Sequence, residues 1–208
     1  MTISKHLWQI NQDLAQICLQ NPFVQSLAKG DLARQHFAFY VAQDAFFLTA
    51  FARAYSIAAA KAPDRQGFFS FHNLADGVLG ELRLHESYAR EWNVDLEAVT
   101  PAPATQRYTD FLLATAWGSD VGLTAVAMTP CMRLYAFLGQ ELAKDGIPTH
   151  AYGDWIRTYS SGEFEELAQE LESLCDRYAS DNEQTNSTYR YALLCEENFF
   201  TAAWESNL

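Results

Sequence analysis

Between Gly30 and Pro63 the chain carries a long run in which Phe37, Tyr40, Phe47, Phe51 and Tyr55 recur at steps of three, four and seven residues. That spacing puts the rings on one face of an α-helix and conflicts with the period of two that a half-buried strand requires. It predicts a long helix from Leu32 to about Lys61, capped by Asp31 and ended by Pro63, with an aromatic buried face. Nearer the start, Leu7, Ile10, Leu14, Ile17 and Cys18 repeat the period. They predict a helix from about Ser4 to Gln20 that Asn21-Pro22 closes, followed by a short segment to Lys29-Gly30. A further helix is expected from about Asp64 to Trp92, and the stretch from Thr100 to Thr105 is the one clear loop in the middle of the chain. Beyond it, helices are expected at about Thr105 to Ala116, Asp120 to Lys144, His150 to Tyr159, Ser161 to Ala179 and Asn182 to Ser206. No segment alternates with β-branched residues and no fixed-period repeat appears. Residues 1–208 therefore read as one all-α domain, a helical bundle around a single hydrophobic core.

Composition narrows what such a bundle can do. The chain is 49% hydrophobic and only 19% charged, too apolar for a disordered tail. Fourteen basic against 26 acidic residues leave a net charge of −12, which repels phosphate backbones and anionic lipid and argues against nucleic-acid or membrane partners. The longest uncharged run, Leu14 to Ala28, is shorter than a bilayer span and is interrupted by Asn21-Pro22, so no transmembrane helix is expected. Met1 to His6 lead straight into an amphipathic pattern without a secretory h-region, and the expected location is the cytoplasm. Cys18, Cys131, Cys175 and Cys195 are widely spaced and form no C-x-x-C, as suits reduced thiols.

A few side chains could carry chemistry. Cys131 follows Thr129-Pro130, where proline either kinks a helix or begins a new one. If Thr129 is an N-cap, the helix dipole lowers the Cys131 pKa; otherwise Cys131 is a small buried hydrophobe. Asp44 is the one charged residue from His36 to Ala52, and its helical neighbours Tyr40, Val41, Phe47 and Leu48 turn it inward. It then needs either a structural partner or a polar ligand held between aromatic rings. Of the adjacent Glu196 and Glu197, Glu196 shares a face with Leu193 and Phe199 or Phe200; if buried it suits a general acid or base, its pKa raised toward neutrality, and if this helix stands alone both glutamates are solvated. Glu81 and His85 stand one helical turn apart, as two metal ligands would. Yet His6, His36, His72 and His150 have no acidic residue three or four positions before them. The pair is read as a hydrogen-bonded structural or supporting pair, and no metal ion is expected.

Four blocks, taken together, resemble in order and spacing the signatures of the thiaminase II (TenA) family. They are Tyr40-Val41-Ala42-Gln43-Asp44, Thr129-Pro130-Cys131-Met132-Arg133-Leu134-Tyr135, Thr158-Tyr159-Ser160-Ser161-Gly162-Glu163-Phe164 and Glu196-Glu197-Asn198-Phe199-Phe200. The resemblance extends over essentially the whole chain. It implies a haem-oxygenase-like helical fold without haem, usually a homotetramer, needing no cofactor and acting on a small pyrimidine. Members hydrolyse thiamin, or in salvage an aminomethylpyrimidine, to hydroxymethylpyrimidine. Carried over by position, Cys131 is the nucleophile that adds to the pyrimidine ring and Glu196 handles the proton on a ring nitrogen. Asp44 binds the amino edge, and Tyr108, Tyr135, Tyr159 and Phe199 supply stacking faces and hydroxyls. Phe47 stands at a substrate-facing position where some members carry tyrosine. Arg133 replaces what is often an aromatic and is expected to mark an altered pocket wall or a subunit contact. Two other readings are a metal-dependent oxidase on the same scaffold, needing ligands around Glu81 and His85, and a non-enzymatic regulator.

Overall fold

The computed structural model describes the backbone of residues 1–92 and 99–206, and within these every side chain except those of 83–88 and 90–92. The described residues form helices and connections and no strand. The helices are α1 (Ile3–Ile10), α2 (Gln12–Gln20), α3 (Pro22–Lys29), α4 (Arg34–Lys61), α5 (Arg65–Trp92), α6 (Pro103–Gly118), α7 (Val121–Leu142), α8 (Gly153–Tyr159), α9 (Gly162–Tyr178) and α10 (Glu183–Glu205). The all-helical expectation holds, and three of the later helices start where short polar residues allow. Asp120 accepts from Leu123 N–H at 2.8 Å, Ser161 from Phe164 N–H at 3.1 Å and Asn182 from Thr185 N–H at 2.9 Å, capping α7, α9 and α10.

Three local expectations are corrected. The first helix is two, because the Asn11 side chain takes the Leu7 carbonyl at 2.8 Å and its own carbonyl oxygen accepts from Arg190 at 3.0 Å, which turns the chain at φ −114°. The segment after Asn21 is itself a helix. Asn21 accepts from Phe23 N–H at 3.0 Å and Pro22 occupies the first helical position, so one dipeptide ends α2 and begins α3. Phe23, Val24 and Leu27 bury that helix, and Gly30 (φ 80°) ends it. Asp31 does not cap α4. Its N–H closes the end of α3 on the Ser26 carbonyl at 3.1 Å, and α4 begins from an extended Ala33 without a side-chain cap.

At the centre lies α7, buried nearly all round, with α9, α10, α8 and α6 packed about it and α4 paired with α5 alongside. By length and composition α7 could cross a membrane, but 83% of its most apolar stretch is buried inside the protein. Its neighbours approach closely where it has no side chain. A Cβ on Gly122 would meet the backbone of Tyr178 and Ala179, and one on Gly139 would meet the backbone of Tyr159 and Ser160. Thr129 is not an N-cap: α7 runs through Pro130 without restarting, and the Thr129 hydroxyl donates instead to the Ala125 carbonyl at 2.7 Å. Proline leaves the carbonyl one turn before it without its helical donor, which breaks the ladder just ahead of Cys131. Arg133 forms no pocket wall. Its guanidinium donates to Glu172 at 2.7 and 2.8 Å and to Glu165 at 2.9 and 3.0 Å, clamping α7 to α9.

Gly139→Ala tests the close approach. Overpacking against backbone is expected to cost about 2 to 3 kcal/mol, read as a lower denaturant midpoint, whereas alanine at Gly118, where a Cβ meets nothing, leaves the midpoint in place.

Candidate active site

Beside α7 the helices leave a cavity of about 490 Å³. One wall is the aromatic face of α4, where Asp44, Phe47, Phe51 and Tyr55 follow one another along the helix. A second wall is α5, through Leu74, Val78 and Glu81, and α7 contributes Cys131, Met132 and Tyr135. Tyr159 of α8 and Phe164 and Leu167 of α9 complete it. Asp44, Glu81 and Glu163 are its charged lining groups, and no described lining residue is basic. Such a cavity suits a flat, neutral or cationic ligand and disfavours a phosphorylated one.

Behind Cys131 stands Glu196 of α10, buried and outside the lining itself. Its carboxylate accepts from the Tyr108 hydroxyl at 2.8 Å and lies near enough to the Cys131 thiol for each to shift the other's pKa. Burial raises the Glu196 pKa to about 7; Tyr108 and Cys131 pull it down and the Asp44 charge pushes it up. Burial pushes the Cys131 thiol well above its ordinary range, and the Glu196 and Asp44 charges push it further. The dipole activation expected of a new helix at Thr129 is therefore absent. Cys131 sits inside a continuous helix, with the buried Glu196 carboxylate as its neighbour. Cys175 and Cys195 are pushed up to about 12, chiefly by burial, and they do not line the cavity.

The structure brings Cys131, Asp44, Phe47, Tyr135 and Tyr159 to the cavity surface, and sets Tyr108, Glu196 and Phe199 one layer behind it. Phe47 packs on Tyr108 with ring centroids 4.7 Å apart and on Phe199 at 6.2 Å, so the second layer braces the first. Sequence reasoning left Glu81 as half of a pair with His85. Its carboxylate accepts from the Tyr159 hydroxyl at 2.7 Å and lines the cavity, and the His85 side chain, with the expected pair, lies outside the described residues. Among the described residues no three histidine, cysteine or carboxylate side chains form a metal-binding group. Tyr55 and the α5 wall were also missed. Tyr55 lay on the aromatic stripe of α4, where only packing against α5 and α7 separates a cavity position from a core position.

A family model described as TENA/THI-4/PQQC matches residues 8–206. An aminopyrimidine aminohydrolase of Helicobacter pylori is 34% identical over 173 residues, which cover 79% of this chain and 79% of that protein. The mitochondrial bifunctional TH2 protein of Arabidopsis thaliana is 36% identical over 211 residues, covering 88% of this chain. The chain spans only 34% of that relative's length. Among solved structures, a TenA homologue from P. horikoshii OT3 superposes with a TM-score of 0.90 at 25% identity, over 98% of this chain and 99% of the other. The arrangement of helices is haem-oxygenase-like.

Alkylation of Cys131 by iodoacetamide, followed by peptide mass spectrometry, is expected to keep rising beyond pH 9.0, the ordinary thiol value. Glu196→Gln removes the nearest negative charge and is expected to move that curve to lower pH; a wild-type midpoint at or below the ordinary value would contradict the geometry.

Proposed function

The chain belongs to the TENA/THI-4/PQQC family, and from that membership we propose that it is an aminopyrimidine hydrolase of thiamin salvage or degradation. It releases hydroxymethylpyrimidine from an aminomethylpyrimidine or from thiamin. The observation that carries this reading is Cys131 at the wall of an acidic, aromatic cavity, with the buried Glu196 carboxylate held by Tyr108 close behind it. The name of the 34% identical H. pylori relative supports it.

In this reading the ring lies between the aromatic faces of the cavity, with its amino edge on Asp44. Glu196, near half ionised at neutral pH, takes the Cys131 proton as sulfur bonds to a ring carbon, and delivers it to the ring nitrogen where charge would otherwise develop. The ring stays closed, and the electron pair of the dearomatised adduct then expels the amine, which leaves as ammonia from its protonated form, or the thiazole, so that the side-chain carbon becomes an exocyclic methylene. Water adds to that carbon, giving up a proton, and the sulfur leaves with its proton restored. The net change is amine plus water to alcohol plus ammonia, and each step is a proton or nucleophile transfer within reach of Cys131 and Glu196. Tyr108 holds the Glu196 carboxylate in place, and Tyr135 and Tyr159 present hydroxyls to the ring. Phe47, without a hydroxyl, offers the ring a stacking face alone. We further propose the homotetramer usual in the family, for which Phe68, Phe69 and Leu79 of α5 and Trp117 of α6 offer exposed apolar surface.

Two measurements test the reading. Mass spectrometry of wild type and Cys131→Ser incubated with thiamin and with the aminomethylpyrimidine is expected to find hydroxymethylpyrimidine from wild type, reduced by roughly a thousandfold or more in the variant. Turnover retained in the variant would remove Cys131 from the role of nucleophile. The pH dependence of kcat/KM is expected to rise through about 7 as the free enzyme's Glu196 ionises to accept the thiol proton. In Glu196→Gln that inflection disappears along with most of the rate.

A further inference from the structure

Three side chains from three helices form a line of hydrogen bonds that ends at the cavity. The Trp155 indole N–H of α8 donates to the Tyr40 hydroxyl of α4 at 3.2 Å, and the Tyr40 hydroxyl donates to the Tyr135 hydroxyl of α7 at 3.1 Å. All three are buried. Of the three, Tyr135 lines the cavity, whereas Tyr40 and Trp155 do not. The direction of the line follows from its first member. An indole N–H is a donor only, so it occupies a lone pair of Tyr40 and leaves the Tyr40 proton to go elsewhere. Tyr135 receives that proton. With its oxygen already accepting from behind, Tyr135 has its own O–H left to donate, and the side it presents is the cavity wall.

We propose that Trp155 and Tyr40 are positioning residues that hold the Tyr135 hydroxyl as a hydrogen-bond donor toward the ligand, so that the ligand atom facing Tyr135 is an acceptor. The inference rests on the aminopyrimidine reading for the identity of that ligand: the acceptor is then an unprotonated nitrogen of the substrate. It adds a division of labour among the polar groups of the cavity. Asp44 and Glu81 accept from the donor edges of a ligand, and Tyr135, one helical turn beyond Cys131, is the matching donor. A tyrosine free to rotate would donate or accept with equal ease and would accept a ligand presenting either group. The line from Trp155 removes that choice before the ligand arrives, at no cost in reorganisation. Ring packing holds the line in register, with Trp155 and Tyr135 centroids 5.8 Å apart and Tyr135 and Phe200 centroids 5.7 Å apart.

The test uses Trp155→Phe, Tyr40→Phe and Tyr135→Phe singly and in pairs in the full chain. Trp155→Phe and Tyr40→Phe are each expected to lower kcat/KM for the aminomethylpyrimidine by about five- to tenfold, the effect of one misdirected hydrogen bond. In a Tyr135→Phe background neither is expected to lower it further, because each acts through the hydroxyl already removed. Losses that multiply in the double variants would overturn the proposal, since general damage to packing does not depend on that hydroxyl. The line is also read without turnover. The Trp155 indole proton resonance, assigned by its loss in Trp155→Phe, is expected to shift in Tyr40→Phe, and an unmoved resonance would overturn the proposal. If wild type releases hydroxymethylpyrimidine from neither substrate, the aminopyrimidine reading falls by itself. The same cycle measured by calorimetry as affinity for hydroxymethylpyrimidine, together with the indole resonance, then decides the inference.

Discussion

The burial of Glu196 against Cys131 and Tyr108 is the interaction around which the molecule is arranged. A carboxylate taken from water is costly unless its oxygens are bonded, and here the Tyr108 phenol of α6 supplies a bond while the Cys131 thiol of α7 lies beside it. Neither group carries charge, so the carboxylate is held near neutrality rather than locked in its ionised form. A cation in the place of Tyr108 would favour the ionised carboxylate and drive its pKa down. Three helices distant in sequence, α6, α7 and α10, must therefore meet at one point, and the packing of the bundle around α7 is what brings them there.

That meeting depends on small residues as much as on large ones. The backbones of Tyr159 and Ser160 rest on Gly139, and those of Tyr178 and Ala179 on Gly122, so α8 and the end of α9 sit at fixed heights along α7. The first contact fixes Tyr159 over the cavity, where it reaches Glu81, and carries Trp155 to Tyr40. The Arg133 clamp onto Glu165 and Glu172 ties α9 to α7 a second time. Structural and site residues alternate along α7 because a helix turns its face every few residues. Cys131 and Tyr135 look into the cavity while Arg133 between them looks away.

Much of the fold was legible because helical period, proline and polar caps are local signals. The ends of α7, α9 and α10 follow from Asp120, Ser161 and Asn182, which satisfy backbone donors within three residues of themselves. The errors fell where a local signal has two meanings. Asn21-Pro22 both ends and begins a helix, Asn11 breaks one only because Arg190 arrives from the far end of the chain, and Thr129-Pro130 reads equally as a start or an interruption. At the site, Asp44, Cys131 and Glu196 stood out as chemistry-bearing residues in apolar surroundings or beside a backbone break. Glu81 and Tyr40 did not, because one resembled half of a metal pair and the other a core aromatic.

Residue type and local spacing were enough for the helical class, the acidic balance, the inward turn of Asp44 and the resemblance that joins Asp44 and Glu196 to Cys131. Those properties depend on residue type and on spacing within a few turns of one helix. It took the packing of the helices to set which carboxylate lies beside Cys131, which aromatics line the cavity and which support them from behind, and that Trp155, Tyr40 and Tyr135 join in one line of hydrogen bonds. Each of these is set by atoms contributed from different helices, and the energy of a hydrogen bond or a desolvated charge depends on separations of a few ångströms that no local pattern encodes.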